Sequence, residues 1–249
     1  RCSNTLLIVL FLANFLFLLG TQTLSASSIK TIYLSENTEL TRHIELSEGM
    51  DRAALIELLK STFQLVPEYG LENKNQAYRD ALGYEHQRVT QTIGGIPIYG
   101  SSLSLHKKNG KITSVSGIVL GMLPQNSFND AAYTDAEIIA IATSCVGAKS
   151  FMWEDEKMEA FIKKEKNDPS ATHFPNIKPV YFSNSIPNQQ ATYLTAAYAL
   201  EIYAKEPLSK KEIIVNAITG EIMFELNLIH HTDEAGTAHT AFSGLRDIT

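Results

Sequence analysis

"VTQTIGGIPIYGSSLSLHKKNGKITSVSGIV", residues 89–119, sets the architecture of the chain. Leu103 and Leu105 alternate with Ser102, Ser104 and His106, the period of two that describes a strand with one buried face. Asn109-Gly110 follows between Lys108 and Lys111 and predicts a two-residue hairpin turn, because both turn positions need positive φ. Ile112, Val115, Ile118 and Val119 continue as the return strand, and Glu85 to Thr92 supply a third strand able to pair in front. Ile96 and Ile98 are out of phase with Leu103 and Leu105, so Gly100 marks a bulge or bend. Pro97 cannot donate to a ladder and places an edge or a strand start there. No nucleophile in the stretch stands beside a base, and no metal-ligand spacing occurs. The sheet is specific and chemically inert.

Working outward, Met50 to Val66 carries Leu55, Leu58, Leu59 and Phe63 at helical spacing, with Pro67 and Gly70 as its stop. Ile29 to Glu48 reads as a polar lead with a few strand-like residues, and Glu72 to Asp80 as a loop or the edge of a short helix. A module boundary falls at Leu123-Pro124-Gln125-Asn126. Beyond it Thr134-Asp135-Ala136-Glu137 is a capping box. Ile138, Ile141, Ala142 and Cys145 then recur on one helical face until Gly147. Glu154 to Asp168 is a second helix or a solvated excursion. Leu194, Ala196, Tyr198, Leu200 and Ile202 alternate as a strand. Ile213–Ile218 and Glu221–Leu228 form a pair around Thr219-Gly220. A helix laid on an antiparallel sheet, twice over, is an α+β arrangement of two small modules. The tail, His230 to Thr249, is rich in Gly, Thr and Ala and reads as an extended linker.

The 249 residues carry a formal charge of −6 without a Lys/Arg cluster, which argues against a nucleic-acid partner. Leu6 to Gly20 is apolar apart from Asn14, follows a basic start and leads to small residues near Leu24-Ser25-Ala26. That is the pattern of a secretory signal with Ala26 as its cleavage candidate; an uncleaved N-terminal anchor is the alternative. The chain does not begin with Met, and further basic residues are expected upstream. With residues 1–26 removed, Cys145 is the only cysteine, so no intramolecular disulfide can form, and its helical position predicts a buried, inert thiol. The modules are then a lead segment at 27–48, a first domain at 49–123, a second at 124–229 and a linker at 230–249.

Catalytic chemistry is hard to find. His230, His231, Asp233, Glu234 and His239 could pass for metal ligands, but they sit where no helix or strand would fix them. None of the seven histidines is followed by Glu, so His-Glu-x-x-His is absent. No Gly-x-Ser-x-Gly elbow occurs, and Gly94-Gly95 is not followed by a helix or a Lys-Ser/Thr pair. No residue is assigned as catalytic or metal-binding. Tyr193, Tyr198 and Tyr203 could open a sheet face to extracellular ligands, although such alternation is more often core packing.

The opening stretch resembles the signature of the domain that begins thermolysin-like metalloprotease precursors and is shared with fungalysins. Gln91, Gly95, Ile96, Pro97, Ile98, Tyr99, Gly100, Gly110 and Gly117 match in order. Val215-Asn216-Ala217-Ile218-Thr219-Gly220-Glu221-Ile222 is similar to the hairpin of the cystatin-like peptidase-propeptide domain that follows it there, with Asn216 in place of an Asp. Asn can still make the local turn hydrogen bond. Gly236 to Thr249 resembles the junction at which the mature protease begins. The resemblance spans about residues 50 to 249 and implies a secreted, monomeric pro-region whose partner is its own downstream catalytic domain. It implies no cofactor for these residues, with zinc and calcium bound by the catalytic domain expected after Thr249. It also implies an activating cut among Thr232, Asp233, Glu234, Ala235, Gly236, Thr237, Ala238 and His239. A free-standing inhibitor or binding module of the same fold is the rival reading; an enzyme built on the tail histidines is a third.

Overall fold

The computed structural model of the chain describes residues 28–34, 41–183 and 193–229, together with the backbone of 236–240 and 244–248. It is α+β, with antiparallel sheets and three helices. Two units emerge from the backbone contacts. Of the described residues, the first takes those up to Ala132 together with those in 179–198 and Asn216–Thr219; the second takes Tyr133–Lys178, Ala199–Val215 and those from Gly220 on.

In the first unit the strands run β1 (Ile29–Leu34), β2 (Thr41–Met50), β3 (Tyr69–Asn73), β4 (Tyr78–Arg79), β5 (Glu85–Ile93), β6 (Ile96–Pro97), β7 (Leu103–Lys108) and β8 (Lys111–Gly117). They pair in the order β1-β2-β8-β7-β5-β3, with β4 and β6 also on β5. The β7–β8 hairpin forms around Asn109 and Gly110, with φ of 53° and 76°. Helix α1 (Arg52–Phe63) starts at Asp51, whose carboxylate accepts the Ala54 amide at 2.9 Å, and ends at Gln64 in the left-handed region. Leu55, Leu58 and Leu59 of that helix are buried in one core with Ile44, Leu46, Val89, Leu103, Leu105, Ile112 and Val115 from the sheet. Each such side chain contributes roughly 1.5–3 kcal/mol by leaving water.

Two expectations need correction here. The lead segment is not a polar preamble: Ile29–Leu34 and Thr41–Met50 are full sheet members, and β2 pairs β8 from His43↔Ser116 to Met50↔Ile112. Only Ile44 and Leu46 of β2 reach the core deeply, so its alternation is diluted by exposed charges. The Glu72–Asp80 passage is likewise not helical. It holds the end of β3 and all of β4, both paired to β5. Ile118, assigned to the return strand, lies beyond β8 and is exposed.

The first unit continues through β9 (Leu123–Pro124), which pairs in parallel with Tyr193 and Leu194 at the start of β12 (Tyr193–Glu206). A single 3-10 turn at Phe128–Asp130 follows β9, capped by Ser127. The second unit contains α2 (Asp135–Val146), β10 (Ser150–Phe151), α3 (Glu156–Glu165), the later part of β12, β13 (Ser209–Asn216) up to Val215, and β14 (Ile222–Asn227). Strand order is β10-β12-β13-β14, and β11 (Lys178–Phe182) also pairs with β12. Thr134 and Glu137 close the capping box that begins α2, and Gly147 ends it. The Glu154–Asp168 passage resolves into α3. In β12, Thr195, Ala197 and Ala199 are buried alongside Leu194, Ala196, Leu200 and Ile202, because both faces of that strand are covered.

The tail is a further correction. Gly236–Thr240 (β15) and Gly244–Ile248 (β16) pair antiparallel from Gly236↔Ile248 to Thr240↔Gly244. Backbone pairing asks little of side chains, so Gly-Thr-Ala-His-Thr and Gly-Leu-Arg-Asp-Ile can form a ladder without an alternating apolar pattern.

Candidate functional site

Among the motif residues Gln91, on β5, is fully buried and the most extensively hydrogen-bonded. Its side-chain oxygen accepts the Tyr69 hydroxyl at 3.1 Å and the Leu120 amide at 2.9 Å, and its Nε2 donates to the Ile118 carbonyl at 3.0 Å. Its backbone amide donates to Ser101 Oγ at 3.1 Å, and its carbonyl accepts the Ile98 amide at 2.8 Å. The side chain thus joins β3 to the chain leaving β8, and the backbone of the same residue holds the 96–101 loop. Burial pushes the Tyr69 phenol above its ordinary range, so it stays a donor.

Gly94 and Gly95, with φ of 58° and 80°, form the two-residue turn between Ile93 and Ile96. This turn folds β6 back, puts Pro97 on a short edge strand and drives Ile98 into a second core with Ile93, Tyr181, Leu194, Ala196 and Ala217. Ile98 bridges Tyr181 in parallel, the Tyr99 amide donates to the Tyr181 carbonyl at 2.8 Å, and the Tyr99 ring lies 5.7 Å from Phe182. Gly100 turns the chain into Ser101 with φ 74°. Gly117 meets a different demand: at φ 124° a Cβ there would stand 2.7 Å from the Ser102 carbonyl oxygen.

Asn216, the departure from the family pattern, accepts the Ile218 and Thr219 amides at 2.8 and 3.1 Å on its side-chain oxygen. A neutral amide therefore closes the turn, as an Asx turn requires. Ala217 is buried, bonded by its backbone to Ala196 and Ala132. In the second unit Gly220 adopts φ 72° against the Tyr133 ring.

Of the cleavage candidates, Gly236, Thr237, Ala238 and His239 lie on β15, His239 opposite Leu245. Thr232, Asp233, Glu234 and Ala235 lie outside the described residues, as do Ala26, His230 and His231. Among the described residues no group of three or more His, Cys, Asp or Glu is placed to hold a metal ion, and no helix is long and apolar enough to cross a membrane. Cys145 is a correction. It is half-buried and hydrogen-bonded to Glu225 Oε2 at 3.3 Å, because the α2 face it shares turns toward β14. Desolvation, then the Glu225 hydrogen bond and charge, push its thiol up and keep it protonated. Tyr193, Tyr198 and Tyr203 do not open one aromatic face: Tyr198 packs on Phe128 and Tyr203 on His173.

The second unit also holds a cavity of about 480 Å³, lined by residues including Met158, Phe161 and Ile162 of α3 with Phe174, Tyr203 and Lys210. His173 stands edge-on to Tyr203 there, and its backbone amide is bonded to Glu159. Sequence reading passed over a line of histidines on the outer face of the first sheet, His43, His86 and His106, which only strand register brings together.

Residues 74–118 match the family model of the Fungalysin/Thermolysin Propeptide Motif. The chain carries a protease propeptide motif. That span includes Gln91, the Gly94-Gly95 turn, Ile98, Ser101 and Gly117, while Tyr69 and Leu120, which also bond Gln91, lie outside it. The chain is also similar to bacillolysin of Bacillus subtilis subsp. amylosacchariticus and of Bacillus subtilis (strain 168), 23% identical to each over 236 residues. The match covers 92% of this chain but 42% of each bacillolysin, so the chain spans less than half the length of these relatives. The resemblance to the pro-region of a thermolysin-like metalloprotease precursor rests on both findings.

Proposed function

We propose that the chain is the pro-region of a secreted zinc metalloendopeptidase, acting as an intramolecular folding aid and inhibitor until it is cut away near residues 232–239. The observation that carries this reading is the propeptide motif at residues 74–118, supported by the similarity to bacillolysin across 92% of the chain. A protease released among other proteases gains from a high unfolding barrier, and such kinetic stability does not require fast folding. A covalently attached partner acts at high effective concentration, lowers the folding barrier and can then be removed. This work needs a shaped surface on a firm scaffold, which is what a node of hydrogen bonds at Gln91 and two apolar cores supply. No step of it needs a nucleophile from these residues. Zinc, calcium and the peptide-bond chemistry belong to the catalytic domain expected downstream, and export belongs to the signal-like N-terminus.

The test is a precursor whose 232–239 segment is replaced by a sequence that proteases do not cut. It is expected to be secreted uncut and inactive toward peptide substrates. Normal peptidase activity from the uncut precursor would sink the reading.

A further inference from the structure

β14 is the last strand of its sheet, and its second edge meets no other strand among the described residues. One bond fixes the direction of its backbone groups. The Leu228 amide donates to the Lys210 carbonyl at 2.8 Å, so Leu228 turns its peptide groups toward β13. Antiparallel pairing alternates that direction along a strand. With Glu212↔Leu226 and Ile214↔Phe224 in register, the backbones of Phe224, Leu226 and Leu228 face β13, while Glu225 and Asn227 present theirs to the outside. No bond from another segment reaches the Glu225 or Asn227 backbone among the described residues.

The side chains divide in the same way. Glu225 lies on the α2 face, where it meets Lys211 at 2.6 Å and Cys145 at 3.3 Å, and Asn227 shares that face by alternation. Phe224, Leu226 and Leu228 lie on the other face and are 37%, 41% and 38% exposed. An edge with three exposed apolar side chains and neither Lys nor Pro lacks the usual guards against pairing with a further strand. The register with β13 shifts between Ile214↔Phe224 and Val215↔Ile222, a bulge at Met223 that limits the regular edge to residues 224–228.

We propose that the 224–228 edge pairs antiparallel with the same edge of a second copy of this chain, Leu226 facing Leu226 across a two-fold axis. The strand itself selects this occupant and this register. Outward residues must oppose outward residues, which leaves only a few centres. Centring on Leu226 sets Glu225 opposite Asn227 of the second copy, so four backbone bonds form and each Asn227 amide can donate to a Glu225 carboxylate. On the other face the same register gives Phe224 against Leu228, Leu226 against Leu226 and Leu228 against Phe224, apolar pairs throughout. Centring on Glu225 sets like charges directly opposite, which destabilises. Centring on Phe224 runs into the bulge at Met223, and centring on Asn227 loses Phe224 from the overlap. The contact is self-complementary and therefore closes at two copies.

This dimer departs from the monomer that the family resemblance implies, and it does not rest on the pro-region reading. Both tests read the β14 edge on the full chain, so association through the apolar Leu6–Gly20 segment does not imitate it. Leu226→Cys sets two thiols at a non-hydrogen-bonded pair with Cα atoms about 4.5 Å apart, within disulfide reach. Under mild oxidation it is expected to form covalent dimer at least about tenfold faster than Phe224→Cys, whose thiol opposes Leu228, or than the natural chain with Cys2 and Cys145. In the natural chain, amide exchange is read residue by residue across about a hundredfold dilution. Glu225 and Asn227 are expected to lose at least about tenfold in protection on dilution, while Leu226, which faces β13, keeps its own. Equal rates for the two cysteine variants, or protection of Glu225 and Asn227 that ignores dilution, would each overturn the proposal. Constant high protection would mean that the chain covers its own edge, and constant low protection that nothing covers it. If Leu226→Cys does not fold, exchange in the natural chain decides alone.

Discussion

Tyr69 and Gln91 share a hydrogen bond of 3.1 Å in the interior of the first unit, where both side chains are essentially removed from water. Gln91→Leu keeps the bulk and leaves the Tyr69 hydroxyl, the Leu120 amide and the Ile118 carbonyl without this partner. Each abandoned buried group costs about 1–3 kcal/mol, so a loss of roughly 3 kcal/mol in urea unfolding is expected. Tyr69→Phe gives up one bond of the three and is expected to cost about 1 kcal/mol. Equal losses in the two variants would show that Gln91 is not a node.

Gly117→Ala places a methyl group 2.7 Å from the Ser102 carbonyl at a φ that side chains avoid. The expected cost is about 3 kcal/mol, from backbone strain and the displaced β7–β8 register. Gly83→Ala, also at positive φ but with open space around it, is expected to cost about 1 kcal/mol. Denaturation midpoints of the two variants measured side by side separate close approach from backbone conformation alone.

Leu58→Ala removes a fully buried side chain from the core between α1 and the first sheet and is expected to cost about 3 kcal/mol. A change below about 1 kcal/mol in thermal or urea unfolding would mean that the helix does not pack there as described.

Glu201 is paired with Lys210 at 2.6 Å, and that hydrogen bond, ahead of Lys178 and Lys166, holds its carboxyl below the ordinary value of 4.5. The folded chain thus binds this proton more weakly than the unfolded chain. The pair's stabilisation is present above the ordinary value and is lost as pH falls through the lower folded value. Lys210→Met is expected to reduce the drop in urea midpoint between neutral pH and about pH 3. An identical drop in both proteins would contradict that linkage.

Local rules carried the sequence reading where structure is local. The Asn109-Gly110 turn, the Thr134–Glu137 cap and the leucine face of α1 are each set within a few residues, and each forms. What escaped depends on distant pairing. His43 meets Ser116 across 73 positions, so neither the strand character of β2 nor the histidine line is visible in any short window. Gln91 shows the same limit: its place in a motif was legible, but its bonds to Tyr69, Ile118 and Leu120 depend on how three strands converge. The tail hairpin was missed because Gly-Thr-Ala-His-Thr and Gly-Leu-Arg-Asp-Ile show no alternation of apolar and polar residues.

The central claim is that these residues are the front of a protease precursor, and the reading frame beyond Thr249 tests it most directly. Sequencing the transcript through that point is predicted to show an open frame that continues for a few hundred codons and contains His-Glu-x-x-His with a downstream Glu. A stop within a few codons would contradict the account and leave a separate secreted binding protein, to be assayed as a protease inhibitor.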